Sequence, residues 1–249
     1  MDQMELLIDL HRGNPRQGPG STASTLRALK ACGLPREQRL RVADIGCGSG
    51  AQTLVLAEEL EADIVAVDLF PEFTEELNHR AVSAGFHDSI KTANESMEAL
   101  SLESESVDLI WSEGAIYSMG FKAGLQAWRP FLRPNGVLAV SEITWTTTDR
   151  PQALEEFWGA EYPEVGTAEE KMADLRAAGY QVLEHFFLPP SDWLDEYYLP
   201  LEQSFEGFLD RHQHSKEALQ VVQLHRDEIE FYRTYQAYYS YGFYIAQKV

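Results

Sequence analysis

Val42-Ala43-Asp44-Ile45-Gly46-Cys47-Gly48-Ser49-Gly50 decides the reading of this chain. Arg41–Ile45 has the apolar, β-branched character of a buried strand. Ala51–Leu60 follows as a helix with Leu54, Ala57 and Leu60 on its inward face. Between them three glycines stand at alternate positions. Lacking Cβ atoms, they permit a tight turn and let a ligand lie against bare backbone. The helix that follows presents its positive N-terminal end to that ligand.

Working outward, the same alternation repeats. Ile64–Val67 reads as a second strand, followed by a helix from Pro71 to about Ala84. Apolar runs at Ile90–Thr92 and Val107–Trp111 supply two more strands. A helix around Phe121–Phe131 leads into a strand at Gly136–Ile143. Strands alternating with helices imply βαβ units and a mostly parallel sheet. Upstream, Arg12-Gly13-Asn14-Pro15-Arg16-Gln17-Gly18-Pro19-Gly20 is too rich in Gly and Pro for regular structure. Ser21 then caps a helix through about Ala31, with Leu26 and Leu29 on its buried side. Downstream, Ala168–Ala178 is a helix ended by Gly179, and Tyr180–Leu188 a strand stopped by Pro189-Pro190. Helices are expected across roughly 193–211 and 216–239, and the alternating Tyr241, Phe243 and Ile245 give an edge or near-edge last strand.

The 249 residues hold 40 acidic and 20 basic side chains, a formal charge of −20. Such a surface repels phosphate backbones and anionic lipid, so neither nucleic acid nor membrane is an expected partner. Met1 to Leu10 carries Asp2, Glu5 and Asp9 where a secretory leader is positive, and no apolar run approaches the ~18 residues of a membrane span. The two cysteines, Cys32 and Cys47, fit no disulfide or zinc spacing. A cytoplasmic setting is expected, with no metal.

Glycines alone leave the ligand open. Gly46, Gly48 and Ala51 also satisfy the G-x-G-x-x-G/A dinucleotide pattern, and Asp68 ends the second strand where an acid grips ribose hydroxyls in either case. Asp44 argues against a pyrophosphate, since both are negative. It suits a zwitterionic ligand, or it braces the turn through backbone N–H groups.

The stretch D-I-G-C-G-S-G resembles the first motif of class I S-adenosylmethionine-dependent methyltransferases, and further landmarks follow in order over residues 40–145. Asp68 matches the family's ribose-binding acid, with Leu69 beside it to cover adenine. Ser96-Met97 falls where the family flanks adenine, Ser96 replacing the usual acid. Val107-Asp108-Leu109-Ile110-Trp111 resembles the fourth-strand motif. Leu132-Arg133-Pro134-Asn135-Gly136-Val137-Leu138 resembles the turn into the fifth, with Asn135 tolerating the left-handed position of a glycine. W-S-E-G-A-I-Y after strand four and the Tyr-rich end are similar to bacterial small-molecule methyltransferases.

The resemblance implies an α/β, Rossmann-like class I methyltransferase fold. Its mostly parallel seven-stranded sheet has an antiparallel last strand and a helical insertion before it. One domain is expected over 1–249, with a cap segment at 1–40, a cofactor-binding core at 41–145, and acceptor-side elements and a lid at 146–249. S-adenosylmethionine is the implied cofactor, held by Asp44, Gly46, Cys47, Gly48, Gly50, Gln52, Asp68, Leu69, Ser96, Met97 and Glu113.

Methyl transfer from a sulfonium is an in-line displacement, so the protein has chiefly to hold donor and acceptor in line and exclude water. A proton-bearing acceptor also needs a base. In an open parallel sheet, ligands sit beyond the carboxyl ends of the strands. Glu113, directly after strand four, is therefore the first candidate for a base or orienting group, or else a hydrogen-bonding brace; Tyr117 is the second catalytic candidate. Trp145, Glu142 and Trp193 are candidates for the pocket of a small-molecule acceptor. Arg12 and Arg16 lie where the segment ahead of the first strand closes over the cofactor. The tail tyrosines divide between helix packing and an aromatic pocket for a planar or cationic acceptor. A nicotinamide-dependent oxidoreductase and a non-catalytic or protein-directed S-adenosylmethionine-binding protein are the competing readings. Oligomeric state is left open.

Overall fold

Apolar residues at alternate positions build a sheet whose two faces are both covered. The computed structural model describes residues 2–35 and 38–249; of the 1–40 segment, Met1, Arg36 and Glu37 lie outside them. The strands are β1 (Leu40–Ile45), β2 (Ala62–Asp68), β3 (Ile90–Asn94), β4 (Val107–Glu113), β5 (Leu132–Trp145), β6 (Gly166–Thr167), β7 (Tyr180–Phe187) and β8 (Tyr239–Lys248). They order as β3-β2-β1-β4-β5-β8-β7, with the two-residue β6 paired to β5. Strands β1 to β5 run parallel, while β8 is antiparallel to both neighbours, β5 and β7. This is the expected seven-stranded order with β6 added, and β8 is interior by one strand.

Helices α1 (Gln3–Arg12), α2 (Thr22–Ala31), α3 (Ala51–Glu59), α4 (Pro71–Ala84) and α5 (Phe121–Trp128) surround the parallel half. Beyond it come α6 (Gln152–Glu161), α7 (Ala168–Ala177), α8 (Pro190–Trp193), α9 (Leu199–Arg211) and α10 (Lys216–Tyr235). No helix among the described residues is long and apolar enough to cross a membrane.

One face of the sheet buries Val42, Ile64, Leu109, Trp111 and Phe243, and the other buries Ile45, Ile110, Phe121, Trp128 and Tyr244. A third apolar cluster joins α1, α9 and α10 to the ends of β5 and β8 through Leu6, Trp193, Phe208, Ile229 and Tyr239. The helical insertion between β7 and β8 is therefore anchored to the chain's first helix, across the carboxyl ends of the strands.

Several local expectations are corrected. Helix α3 buries Val55 and Leu56, leaving Leu54 and Leu60 half-buried, because the glycine turn rotates the helix so that its 55–56 side meets the sheet. On α2 it is Thr25 and Ala28 that face inward while Leu26 is exposed. Helix α10 stops at Tyr235, since Tyr239 already pairs with Trp145 in the sheet. Pairing with β4 and β8 likewise extends β5 across Leu132–Trp145, and Asn135 takes the anticipated positive φ of 64°. Helix α6 went unrecognised.

Candidate active site

The strand-to-helix turn is built as its glycines require. Gly46 and Gly48 adopt φ of 75° and 52°, the left-handed region that side chains resist. A Cβ on Gly46 would lie 2.3 Å from that of Ala115, and one on Gly48 would lie 2.5 Å from Gln17 Oε1. Asp44 sits behind this turn, fully buried. It accepts from Thr53 Oγ1 at 2.5 Å and Gln52 Nε2 at 3.3 Å, tying the end of β1 to the first turn of α3. Burial pushes its carboxyl up to about 7, with Glu113 and Asp68 adding to the rise. Asp44 braces the turn, but through the Thr53 and Gln52 side chains rather than the backbone N–H groups expected from sequence, and it does not line the cavity in front of the turn.

That cavity has a volume of about 410 Å³. Its floor is Gly46–Gly48 with Gln52; its walls are Asp68–Phe70, Ser96–Met97, Glu113–Ala115, Tyr117 and Ser118; Arg16–Pro19 closes it from above. Asp68 Oδ2 accepts the Gly48 N–H at 2.9 Å and Oδ1 the Phe70 N–H at 3.0 Å. Each oxygen keeps a lone pair for a ligand, and burial raises the carboxyl. Cys47 lines the floor, its thiol held well above the ordinary range by burial and by nearby Asp44 and Asp68. Gln52 also donates to the Cys47 carbonyl at 3.3 Å. Leu69 is exposed at the mouth. Met97 is fixed through its carbonyl, which accepts Trp128 Nε1 at 3.0 Å.

The roof is latched by two residues. Gln17 Oε1 accepts both the N–H and the hydroxyl of Ser49, at 2.8 and 2.9 Å, while its amide donates to the carbonyls of His11 and Asn14. Nothing in the sequence marks Gln17, an ordinary polar residue in an irregular segment thirty-two positions from its partner. Arg16, singled out from sequence, donates to Glu113 Oε2 at 2.9 Å, with the two side chains only 8% and 5% exposed. Glu113 Oε1 accepts Thr25 Oγ1 at 2.7 Å and Trp111 Nε1 at 3.0 Å. Three donors thus hold Glu113 in the bracing geometry, and its side chain is turned back under the roof.

Tyr117 stands at the far end of the cavity, 46% exposed, its ring edge-on to Tyr162. The other pocket candidates lie elsewhere. Trp145 is buried beneath the Arg150 guanidinium at 4.6 Å. Trp193 stacks on Tyr232 at 4.4 Å and donates to Ser240. Glu142 faces the opposite side of the sheet in a buried pair with Lys171 at 3.1 Å; burial raises its carboxyl and Lys171 opposes the rise. Strand periodicity explains the displacement, because residues at the end of a long strand alternate between faces. Arg12 is exposed beside Glu75. Among the described residues one trio of metal-type side chains converges, Glu206, Asp210 and His214, exposed on the last turns of α9 and beyond and not lining the cavity.

Comparison with known proteins agrees with this geometry. Residues 42–136 match the family described as "Methyltransferase domain". The whole chain superposes on an S-adenosylmethionine-dependent methyltransferase from Geobacter sulfurreducens, solved with S-adenosylhomocysteine. The TM-score is 0.81 with 20% identity, covering 99% of this chain and 98% of that one. A Thiobacillus denitrificans methyltransferase with the same ligand gives 0.81 and 24%, over 99% and 98%. Over 130 residues the chain is 31% identical to the ribosomal protein arginine N-methyltransferase rmt3 of Schizosaccharomyces pombe, a match covering 49% of this chain and 24% of that protein. The chain therefore spans about a quarter of that curated relative. The fold is the Rossmann-like fold of S-adenosylmethionine-dependent methyltransferases.

Proposed function

We propose that this chain is an S-adenosylmethionine-dependent methyltransferase acting on a small-molecule acceptor, with S-adenosylhomocysteine as by-product. The observation that carries the reading is the charge of the cavity in front of the glycine turn. Its lining holds Asp68, Glu95, Glu98 and Glu113, and the single lining cation, Arg16, is already paired with Glu113. S-adenosylmethionine carries an ammonium, a sulfonium and one carboxylate, a net positive charge that such walls favour. A dinucleotide pyrophosphate would meet like charge there.

In this reading Asp68 takes the ribose hydroxyls on its two free lone pairs. Leu69 and Met97 enclose the adenine with Ser96 at its edge, and the Gly46–Gly50 backbone with Cys47 and Gln52 lies along the methionine portion. Asp44 acts from behind by fixing the turn. Glu113 is a positioning residue that holds Arg16 and the roof, while Tyr117 faces the acceptor. The chemistry asked of the protein is alignment and exclusion of water, which supplies up to roughly 7–11 kcal/mol in favourable systems. A small acceptor suits a cavity roofed by Arg16–Pro19. The whole chain forms the one methyltransferase unit, and a cytoplasmic setting suits its two buried thiols. Similarity to a protein arginine methyltransferase supports a second, protein-directed reading.

Calorimetric titration with S-adenosylhomocysteine tests the cofactor: stoichiometric micromolar binding is expected, and none by NADH. Asp68→Ala should weaken it ~10-fold or more, since charge-assisted hydrogen bonds contribute ~1.5–3 kcal/mol each. NADH binding in place of S-adenosylhomocysteine would reverse the assignment. Transfer of labelled methyl to amine-containing metabolites rather than to basic proteins separates the two acceptor classes.

A further inference from the structure

We infer that Asp192 is a positioning residue for the cofactor cavity: it supports the Arg16–Glu113 latch from the helical insertion, so that roof and insertion hold or release together. The ligand in this inference rests on the methyltransferase reading; the latch and its support do not. Asp192 lies in α8, at the root of the insertion, and does not line the cavity. It is nevertheless only 2% exposed, and no salt bridge reaches it among the described residues. A carboxylate buried without a counter-charge is destabilising unless it is hydrogen-bonded, which makes its one side-chain contact decisive. That contact is Ser24, whose Oγ donates to Asp192 Oδ2 at 2.5 Å across 168 positions of sequence.

Two routes lead from Asp192 to Glu113. The first runs through α2. Ser24 stands in its first turn, where its N–H donates to the Ser21 Oγ cap at 3.1 Å. The next residue, Thr25, donates to Glu113 Oε1 at 2.7 Å and accepts Arg16 Nη2 at 3.4 Å. The helical turn that Asp192 grips is thus the turn that grips the latch. The second route is backbone: the Asp192 carbonyl accepts the Gly20 N–H at 3.2 Å. A Cβ on Gly20 would lie 2.8 Å from Arg16 Nη1 and 3.0 Å from Glu113 Oε2, so this glycine rests directly on the ion pair. No hydrogen bond joins Asp192 to Arg16 or Glu113 themselves among the described residues. It acts through Ser24 and Gly20.

The mount of Asp192 is stiff. Pro189 and Pro190 fix two successive φ angles ahead of it, and its N–H donates to the Pro189 carbonyl at 3.0 Å. The next side chain enters the core of the insertion: Trp193 stacks on Tyr232 of α10 at 4.4 Å and donates to Ser240 of β8 at 3.1 Å. The other end of the roof is seated on the same body. Helix α1, from which the roof departs, packs on α9 and α10 through Leu6 and Leu10 and ties Asp9 to Arg211 at 2.9 Å. A segment fastened at both ends to one body, and latched in its middle over the glycine turn, transmits the position of either to the other.

Calorimetric titration of folded variants with S-adenosylhomocysteine tests this. Asp192→Ala and Ser24→Ala remove one hydrogen bond from its two sides. Each should weaken binding about tenfold, and the double variant no further. Asp192→Asn keeps an acceptor for Ser24 and should recover to within about threefold of wild type. In an Arg16→Met background, where the latch is already lost, Asp192→Ala should change affinity less than about twofold. A purely structural Asp192 gives another pattern: lower stability with wild-type affinity, or a loss that multiplies with that of Arg16→Met, as independent sites do. Either result would overturn the inference. So would wild-type affinity in Ser24→Ala, the variant that remains readable if Asp192→Ala does not fold. Should wild-type protein fail to bind S-adenosylhomocysteine, the donor reading falls, and the cycle of Asp192→Ala against Arg16→Met is read in urea unfolding without ligand. There, losses that multiply to within about twofold in the folding equilibrium would overturn the support of the latch.

Discussion

Breaking the Arg16–Glu113 pair should both destabilise the fold and open the cofactor cavity. At 2.9 Å the two charges attract by about 6 kcal/mol at an effective dielectric of about 20. Desolvating both side chains takes back much of this. Glu113 keeps its Thr25 and Trp111 donors when Arg16 is lost, which softens the penalty. We therefore expect Arg16→Met to cost about 3 kcal/mol, the low end for one partner of a buried pair. Glu113→Gln should cost a similar amount by stranding the guanidinium. In the double variant the losses should overlap, with a coupling energy of about 2–3 kcal/mol. Because Arg16 carries the roof over the glycine turn, each single variant should also weaken S-adenosylhomocysteine by ~10–100-fold, the part of that energy expressed in ordering the roof. Urea unfolding gives the stabilities and calorimetry the affinities. Single-variant losses below about 0.5 kcal/mol with wild-type affinity would refute the latch. A general-base role for Glu113 would instead lower turnover while leaving cofactor affinity intact.

Three further outcomes follow from the same structure. Gly48→Ala places a side chain at φ 52° and 2.5 Å from Gln17 Oε1; it should cost ~1–3 kcal/mol, and a Gln17→Ala background should relieve the collision but not the backbone cost. His11 binds a proton near pH ~6.5 when unfolded but only at about 3 when folded. The stability it contributes above ~6.5 is thus lost progressively as pH falls toward 3, and His11→Gln should flatten that slope in urea unfolding measured across the range. Cys32, raised to about 12 by burial, and Cys47, raised well above its ordinary value, should both resist a thiol reagent at about pH 8 until the protein is unfolded; rapid labelling of native Cys47 would show that the glycine turn is open.

Much of the fold was legible because it is encoded locally. The alternation of apolar runs with amphipathic stretches placed β1 to β5 and the intervening helices, and the glycines of 46–50 announced a left-handed turn. Backbone freedom and strand or helix period are properties of neighbouring residues, so they survive reading one residue at a time. Asp68 was legible for the same reason, standing at the end of an apolar strand. The position of Glu113 at the end of β4 was legible, while its bonding depended on Arg16 and Thr25, ninety-seven and eighty-eight residues away.

Contacts that join distant segments were beyond the sequence. Gln17 reached Ser49 only because α1 and the Gly/Pro-rich segment fold back over the turn. Trp145, Trp193 and Glu142 were plausible pocket residues by position, yet the sheet sent the first two into packing and the third to the opposite face. The tail tyrosines formed one undifferentiated group until the register of β8 separated Tyr244 on one face from Tyr239 and Tyr241 on the other. The hydrogen bond from Tyr198 to Glu228, thirty residues apart, belongs to the same class. By itself, the sequence determined the order of strands and helices, the glycine turn and the cavity-lining acid at the end of β2. The tertiary structure alone decided which polar groups pair and which face of the sheet each aromatic ring packs on, because those depend on desolvation and on distances between segments far apart along the chain.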